Sequence, residues 1–361
     1  MAKRDWIRNW FRRQPIIRAA IMASRRRRNL PGVRSVAAQL TDSNAAKSCG
    51  TSSQTLLQMY ELQGARITAQ PVSIHSTDWQ YQWFFSPQLQ RTAKTATVIP
   101  QKPHAERKFG ETWLYAAVDG FSYYHWITGV LPRIIAAKRA PVLWNQCNSI
   151  YVTPKQKGSV PFQRDSLRML GCEDKKIIYA DRGQNFHLPR LFVSEDPCPD
   201  HQTNIHPASV QLLREQFNGT TPLPKGSKRL YISRSLARRR HLANEDELFA
   251  QLKLRGFEKI HLDQMPFGEQ IARFNEADFV IGIHGAGLSN IVFAPSHCTL
   301  IELTAKQWPN PCFQNLAKQC GQCAHAIVID AERSLRPFMA NAQADIVKVV
   351  AEIDRILPAQ R

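Results

Sequence analysis

The second half of the chain alternates short apolar runs with amphipathic stretches. Arg229-Leu-Tyr-Ile-Ser233, Lys259-Ile-His-Leu262, Asp278-Phe-Val-Ile-Gly-Ile283, Thr299-Leu-Ile-Glu-Leu303 and Ala326-Ile-Val-Ile329 have the length and β-branched content of buried strands. The stretches between them predict helices from Asn244 to Gly256, from Gly268 to Ala277, from Leu288 onward, and from Pro311 to Gln319. Asn244 is an N-cap candidate, and Glu245, Asp246 and Glu247 fill a first turn, where the helix dipole favours acids. This alternation with short connections predicts a doubly wound α/β domain on a parallel sheet.

The first half reads as a looser version of the same plan. Strands are predicted at Trp113–Val118, Ser149–Val152, Lys176–Tyr179 and Leu191–Ser194. Helices are predicted at Tyr123–Lys138, with Pro132 as a kink or boundary, at Phe162–Leu170, ended by Gly171, and at Pro207–Phe217. The turn-rich stretch 218–226 marks a boundary. The expected fold class is therefore α/β, with two Rossmann-like doubly wound domains, 56–222 and 223–330, facing a central cleft. A leader (1–34), a polar linker (35–55) and an amphipathic C-terminal tail (331–361) flank them. In open α/β sheets, ligands bind at the C-terminal ends of the strands, which puts the site in that cleft.

Composition supports two domains of ordinary size: 361 residues, 43% of them hydrophobic. Charge adds something the periodicity does not. Residues 1–34 carry eleven Lys/Arg against Asp5, more than half of the net +19. Trp6, Ile7, Trp10 and Phe11 share one helical face. Three readings follow: an amphipathic helix lying on an anionic membrane surface, an inert basic tail, or a nucleic-acid contact through Arg25–Arg28. The tryptophans favour the membrane surface. No apolar run approaches the roughly 20 residues that span a bilayer, and the N-terminus lacks a secretory signal. The expected location is cytoplasmic, peripheral at the inner membrane face. Eight cysteines form no regular framework, and Cys320-Gly-Gln-Cys323 lacks a second ligand pair, so reduced thiols and no metal are expected.

Four segments carry candidate chemistry. His284-Gly285-Ala286-Gly287 stands between an apolar strand and a helix start. There glycines let backbone approach a ligand, and amide N–H groups favour an anion such as pyrophosphate; the alternative is a tight turn without a ligand. Arg234, Arg238, Arg239 and Arg240 crowd one loop after a strand, closed by Asn244 and Glu245. Such guanidinium clusters meet phosphate or carboxylate, unless the loop is simply solvated. His125, in Asp119-Gly-Phe-Ser-Tyr-Tyr-His125, is a candidate base or a packed core histidine. Glu302, at a strand end, is placed to accept from a ribose.

Together these segments resemble glycosyltransferase family 61, including its bacterial capsule and surface-polysaccharide members. The likeness rests on Tyr231-Ile-Ser-Arg234 with Arg240 and Asn244-Glu245, on Gly282-Ile-His-Gly-Ala-Gly-Leu-Ser-Asn290 with Ile301-Glu-Leu303, and on Tyr124-His125-Trp126 with Leu131-Pro132-Arg133. The resemblance implies a GT-B fold and inverting transfer from a UDP-sugar donor to a glycan or lipid-linked glycan acceptor. It implies donor binding by Arg234, Arg240, His284, Gly285, Ala286, Gly287, Asn290 and Glu302, with Arg239, Asn244 and Glu245 as further candidates. No D-x-D triplet occurs, so arginines and a helix N-terminus are expected to replace a metal cofactor. Two positions depart from the family pattern: Ser122 stands where Asn is frequent, and Gly129 where an acid is frequent. His125 is therefore the first candidate base and Asp119 the second.

Overall fold

The computed structural model describes residues 33–36, 57, 59–69, 72–76, 81–84, 91–94, 106–118, 122–152, 161–179, 185–198, 205–219, 228–332, 334–336 and 339–357. The amphipathic pattern of the leader, most of the linker, the turn-rich 220–226 and Asp119 lie outside these residues.

The C-terminal sheet contains β11 (Arg229–Ile232), β12 (Glu258–Ile260), β13 (Phe279–Ile283), β14 (Thr299–Ala305), β15 (Cys323–Ala331) and β16 (Ala342–Gln343), in the order β12-β11-β13-β14-β15-β16. β11 to β15 are parallel, and β16 joins antiparallel at the edge. Helices cover both faces of β11, β13 and β14, so these strands read as unbroken apolar runs. β11 leads to β12 on one side, and β13 leads to β14 on the other. The crevice between β11 and β13 is thus the topological switch point.

The N-terminal sheet differs from the expectation. β10 (Asn185–Ser194), β7 (Thr112–Tyr115), β8 (Ser149–Val152) and β9 (Lys176–Tyr179) are parallel, as a Rossmann-like half requires. Beyond β10 the sheet continues as antiparallel ribbons: β2 (Met59–Ala69), β3 (Val72–Ser76), β4 (Tyr81–Phe84) and β5 (Arg91–Lys94). β1 (Val33–Val36) pairs with β2, and β6 (Glu106–Lys108) with β10. A purely parallel reading of this half is corrected to a mixed sheet. The β10–β2 ladder skips one rung where Pro189, which has no N–H, faces Gly64 at φ 62°.

Each sheet keeps one face for its own core and shares the other. Trp113, Tyr151 and Phe186 pack on the outer face of the N-terminal sheet. Tyr231, Ile281 and Leu303 pack beneath the C-terminal sheet with Val349 and Ile353 of the last helix, Ile346–Ile356. Between the sheets runs one continuous core. Its centre is an aromatic triad of Phe217, Phe267 and Phe293, with ring centroids 5.5–6.1 Å apart in edge-to-face contacts. Burying each ring contributes roughly 2–3 kcal/mol. The two halves are therefore fused along a dry seam, and the site lies at one end of it.

The helical stretch expected at 123–138 is present, with a change of winding. Tyr123–His125 is α-helical, Trp126–Val130 is a π-turn, and Leu131–Lys138 resumes the α-helix with Pro132 in its first turn. Gly129 occupies the π-turn against Val118; a Cβ there would lie 2.6 Å from Val118 Cγ1. The freed Gly129 carbonyl accepts from Arg133 Nη1 at 3.1 Å. No acidic side chain fits at 129, which gives that departure a packing cause.

Candidate functional site

A cavity of about 330 Å³ opens over the β11–β13 switch point. Ser233 and Arg234, after β11, form one wall, with Gly285, Ala286 and Gly287, after β13, beside them. Leu262 and Asp263, after β12, form a flank. Ser122, Tyr123 and Phe162 close it from the N-terminal half.

The glycines are there for close approach. Gly285 has an ordinary extended φ of −170°, but an added Cβ would run into the Arg234 guanidinium. At Gly287 a Cβ would lie 2.7 Å from Leu262 Cδ1. The segment that follows, Ala286–Phe293, is a 3-10 helix and not the α-helix expected from Leu288. Its tighter winding is held at the far end. Gln322 Nε2 donates to the Ile291, Ala294 and Pro295 carbonyls at 2.9–3.1 Å, and Arg214 donates to Val292 and Ala294 at 2.7 Å.

Two of the loop arginines turn inward and two do not. Arg238 and Arg239 are exposed. Arg240 has φ 58°, the sole positive φ of a non-glycine among the described residues, which costs about 1–2 kcal/mol. That backbone turn brings its guanidinium over the Trp308 ring, 5.6 Å from the centroid. Arg234 Nη2 donates to the Arg239 carbonyl at 3.0 Å. The Nε atoms of Arg234 and Arg240 are buried without a protein partner, and neither guanidinium pairs with a carboxylate among the described residues. Burial lowers the pKa of Arg234, and burial together with the neighbouring Arg234 and Arg239 charges pushes Arg240 down to about 10. Both remain cations at neutral pH. Two half-buried guanidiniums beside a glycine turn, with no carboxylate in direct contact and only the longer-range attraction of Asp263 and Glu302, can hold an anion.

His284 stands behind this wall. It is buried, with its ring edge-on to Trp308 (4.7 Å) and tilted against Phe313 (4.8 Å). Its Nδ1 shares a 2.5 Å hydrogen bond with Glu302 Oε1. Glu302 is fully buried, and its Oε2 accepts from Gln314 Nε2 at 3.1 Å. Both carboxylate oxygens are thus engaged, and Glu302 orients His284; the expected ribose contact is corrected on this ground.

On the N-terminal side, Ser122 Oγ lies 2.7 Å from His125 Nδ1 and caps the short helix through the His125 N–H. His125 is half-buried and reaches the cavity through Ser122, which lines it. Tyr123 Oη donates to Asn290 Oδ1 at 2.5 Å and lies 3.2 Å from Gln270 Oε1, while Asn290 Nδ2 donates to Gln270 Oε1 at 2.9 Å. Burial raises the Tyr123 phenol well above its usual range, so it stays protonated. This triad ties the two halves together at the cavity wall. Asn290 is fully buried within it and is not free for the donor, which corrects that expectation.

Three further candidates fall away from the cavity. Asn244 makes no side-chain cap; its amide pairs both ways with the Ala344 backbone at 2.8 and 3.0 Å. Glu245 accepts from the buried Tyr231 hydroxyl at 3.0 Å. Arg239 contributes its carbonyl to Arg234, and its side chain is exposed.

The Glycosyltransferase 61 family model matches residues 123–301. That span, just under half of the chain, includes His125, the arginine loop and the glycine turn, and it supports glycosyltransferase family 61. Among curated proteins, the EGF domain-specific O-linked N-acetylglucosamine transferase of Drosophila melanogaster is 35% identical over 94 residues, 25% of this chain and 18% of its own length. The alpha-1,3-arabinosyltransferase XAT3 of Oryza sativa subsp. japonica is 39% identical over 99 residues, 26% of this chain and 17% of its own. The beta-1,2-xylosyltransferase of Arabidopsis thaliana is 29% identical over 96 residues, 27% of this chain and 16% of its own. The chain thus covers less than a fifth of each of these relatives. A solved structure of the dodecameric heptosyltransferase TibC in complex with ADP-D-beta-D-heptose aligns over 75% of this chain and 78% of that one, at 11% identity and a TM-score of 0.32.

The likeness to family 61, carried by motif order, does not announce several residues in and around the cavity. Asp263, Gln270 and Phe162, which line it, and Trp308, which packs against Arg240 and His284, were missed in the sequence reading. Asp263 sits directly after a recognised strand and was legible there; Trp308 lies in an irregular loop with no periodic signal.

Proposed function

We propose that the chain is an inverting glycosyltransferase that uses a UDP-sugar donor. The observation that carries this reading is the pair of half-buried guanidiniums, Arg234 lining the cavity over the β11–β13 crevice and Arg240 beside it over Trp308, each with a buried Nε that has no partner and neither in contact with a carboxylate among the described residues. The donor's pyrophosphate supplies the missing anion, and the Gly285–Gly287 backbone approaches it. As the acceptor oxygen bonds to the anomeric carbon, the bond from that carbon to the UDP oxygen breaks. The guanidiniums stabilise the charge that develops on the departing diphosphate. His125, oriented by Ser122, takes the acceptor hydroxyl's proton; Asp119 is the alternative base. His284, fixed by Glu302, faces a phosphate or the sugar. The two fused halves act as a GT-B-like pair. No metal cofactor takes part.

The acceptor is a glycan or lipid-linked glycan, and the setting is synthesis of a bacterial capsule or other surface polysaccharide at the inner membrane face. The basic, tryptophan-bearing residues 1–34 support peripheral membrane contact. Among the described residues, no helix is long and apolar enough to cross a membrane.

The test is a thermal-shift screen of UDP-linked sugars in EDTA, followed by assay of sugar transfer or donor hydrolysis. A UDP-sugar that binds the folded state raises the melting temperature. Stabilisation with turnover is expected. No stabilisation by any UDP-sugar contradicts the donor site. Binding without turnover would favour the competing reading, an inactive nucleotide-sugar-binding scaffold, for which the acid-free Gly129 position is the supporting observation.

A further inference from the structure

Among the cavity-lining residues, Asp263 is the one carboxylate, and the donor-site account leaves it unused. It is exposed to the cavity and makes no hydrogen bond or ion pair with another described residue. Its turn is built rather than loose. Leu262–Gln264 is a 3-10 turn whose Leu262 and Met265 carbonyls accept from Gln270 Nε2 at 2.8 and 3.0 Å. Gln270 is itself tied to Tyr123 and Asn290.

The strand order gives this position a meaning. β12 lies beside β11 in parallel register, one strand spacing, about 4.8 Å, from the crevice where the diphosphate sits. In a nucleoside diphosphate the ribose follows the first phosphate through one oxygen and one methylene, so a ribose lies about one strand away. Glu302 is sealed behind His284 and cannot reach a diol. A carboxylate is the natural acceptor for two adjacent hydroxyls, and acids near the second strand of dinucleotide folds serve that purpose. Its charge would repel a nearby phosphate, but the facing Arg234 guanidinium, which it attracts, offsets this. We infer that Asp263 accepts hydrogen bonds from the 2′- and 3′-hydroxyls of the donor nucleotide and selects ribonucleotides over their deoxy analogues. This rests on the nucleotide-sugar reading and adds to it the point at which the nucleoside is read.

The experiment is calorimetric titration of the full chain and its D263A and D263N variants with UDP, 2′-deoxy-UDP and 3′-deoxy-UDP. Asp263 is exposed and unpaired, so both variants should melt as the parent does. The parent should bind each deoxy analogue about tenfold more weakly than UDP. D263A should bind UDP about tenfold more weakly and no longer tell the three ligands apart, with D263N between. Equal binding of the three ligands by the parent, discrimination retained in D263A, or tighter UDP binding by D263A overturns the inference while the donor site stands. Failure of the parent to bind UDP overturns the donor reading itself and this inference with it.

Discussion

The two walls of the cavity treat their polar groups differently. On the N-terminal side, Tyr123, His125 and Arg133 have partners within the protein: Asn290 and Gln270, Ser122, and Asp196 with the Gly129 carbonyl. On the C-terminal side, Arg234 and Arg240 are half-buried, keep buried Nε atoms without a partner and contact no carboxylate among the described residues. A satisfied polar group stabilises the fold and fixes geometry; an unsatisfied buried cation destabilises it unless something binds. The first wall is finished by the chain itself. The second, on the proposed reading, is completed by a ligand.

The largest expected effect tests the finished wall. H125A should lower kcat by about 10³-fold, within the range of a lost general base, while UDP binding stays at the parental level. A normal kcat would pass the role to Asp119. Next, R234A and R240A should each lower kcat/KM by about 10²- to 10³-fold without losing thermal stability, because each removes a half-buried charge that no carboxylate contacts. If either variant melted well below the parent, the guanidinium would be structural, and the contrast between the walls would fail. G285A should lower transfer by about 10²-fold at unchanged stability, since its Cβ displaces the flexible end of Arg234 and not backbone. The smallest effect belongs to the residue that acts through another. E302Q should lower transfer by about tenfold, seen mainly in kcat, because Gln can still reach His284 Nδ1 but without charge.

Much of the C-terminal half was legible in the sequence because parallel strands buried on both faces leave apolar runs that polar helices interrupt. Pro207–Phe217 and β8 were read at their observed bounds, and Gly171 and Gly256 end their elements at positive φ, 61° and 77°. The antiparallel ribbons β2 to β5 were not read. Arg66, Thr68, His75 and Gln82 break up their apolar positions, and long-range pairing, not local pattern, makes them strands. The 3-10 winding at 286–293 was equally hidden, since it depends on Gln322 and Arg214 from elsewhere in the chain. Within the site, motif order singled out Arg234, Arg240 and the glycine turn. Which acid faces the cavity was not readable. Both Glu302 and Asp263 belong to strand segments of the pattern, but Glu302 lies within β14 and is fully buried against His284, whereas Asp263 follows β12 and lines the cavity.

The most direct measurement is calorimetric titration of UDP into the parent and into the R234A/R240A double variant, with a thermal melt of each. Clear binding by the parent, a loss of at least about 100-fold in the double variant, and a melting temperature in the double variant no lower than the parent's are expected. Parental UDP affinity in the double variant, or a collapse of its melting temperature, would contradict the claim that these two cations await the donor's diphosphate.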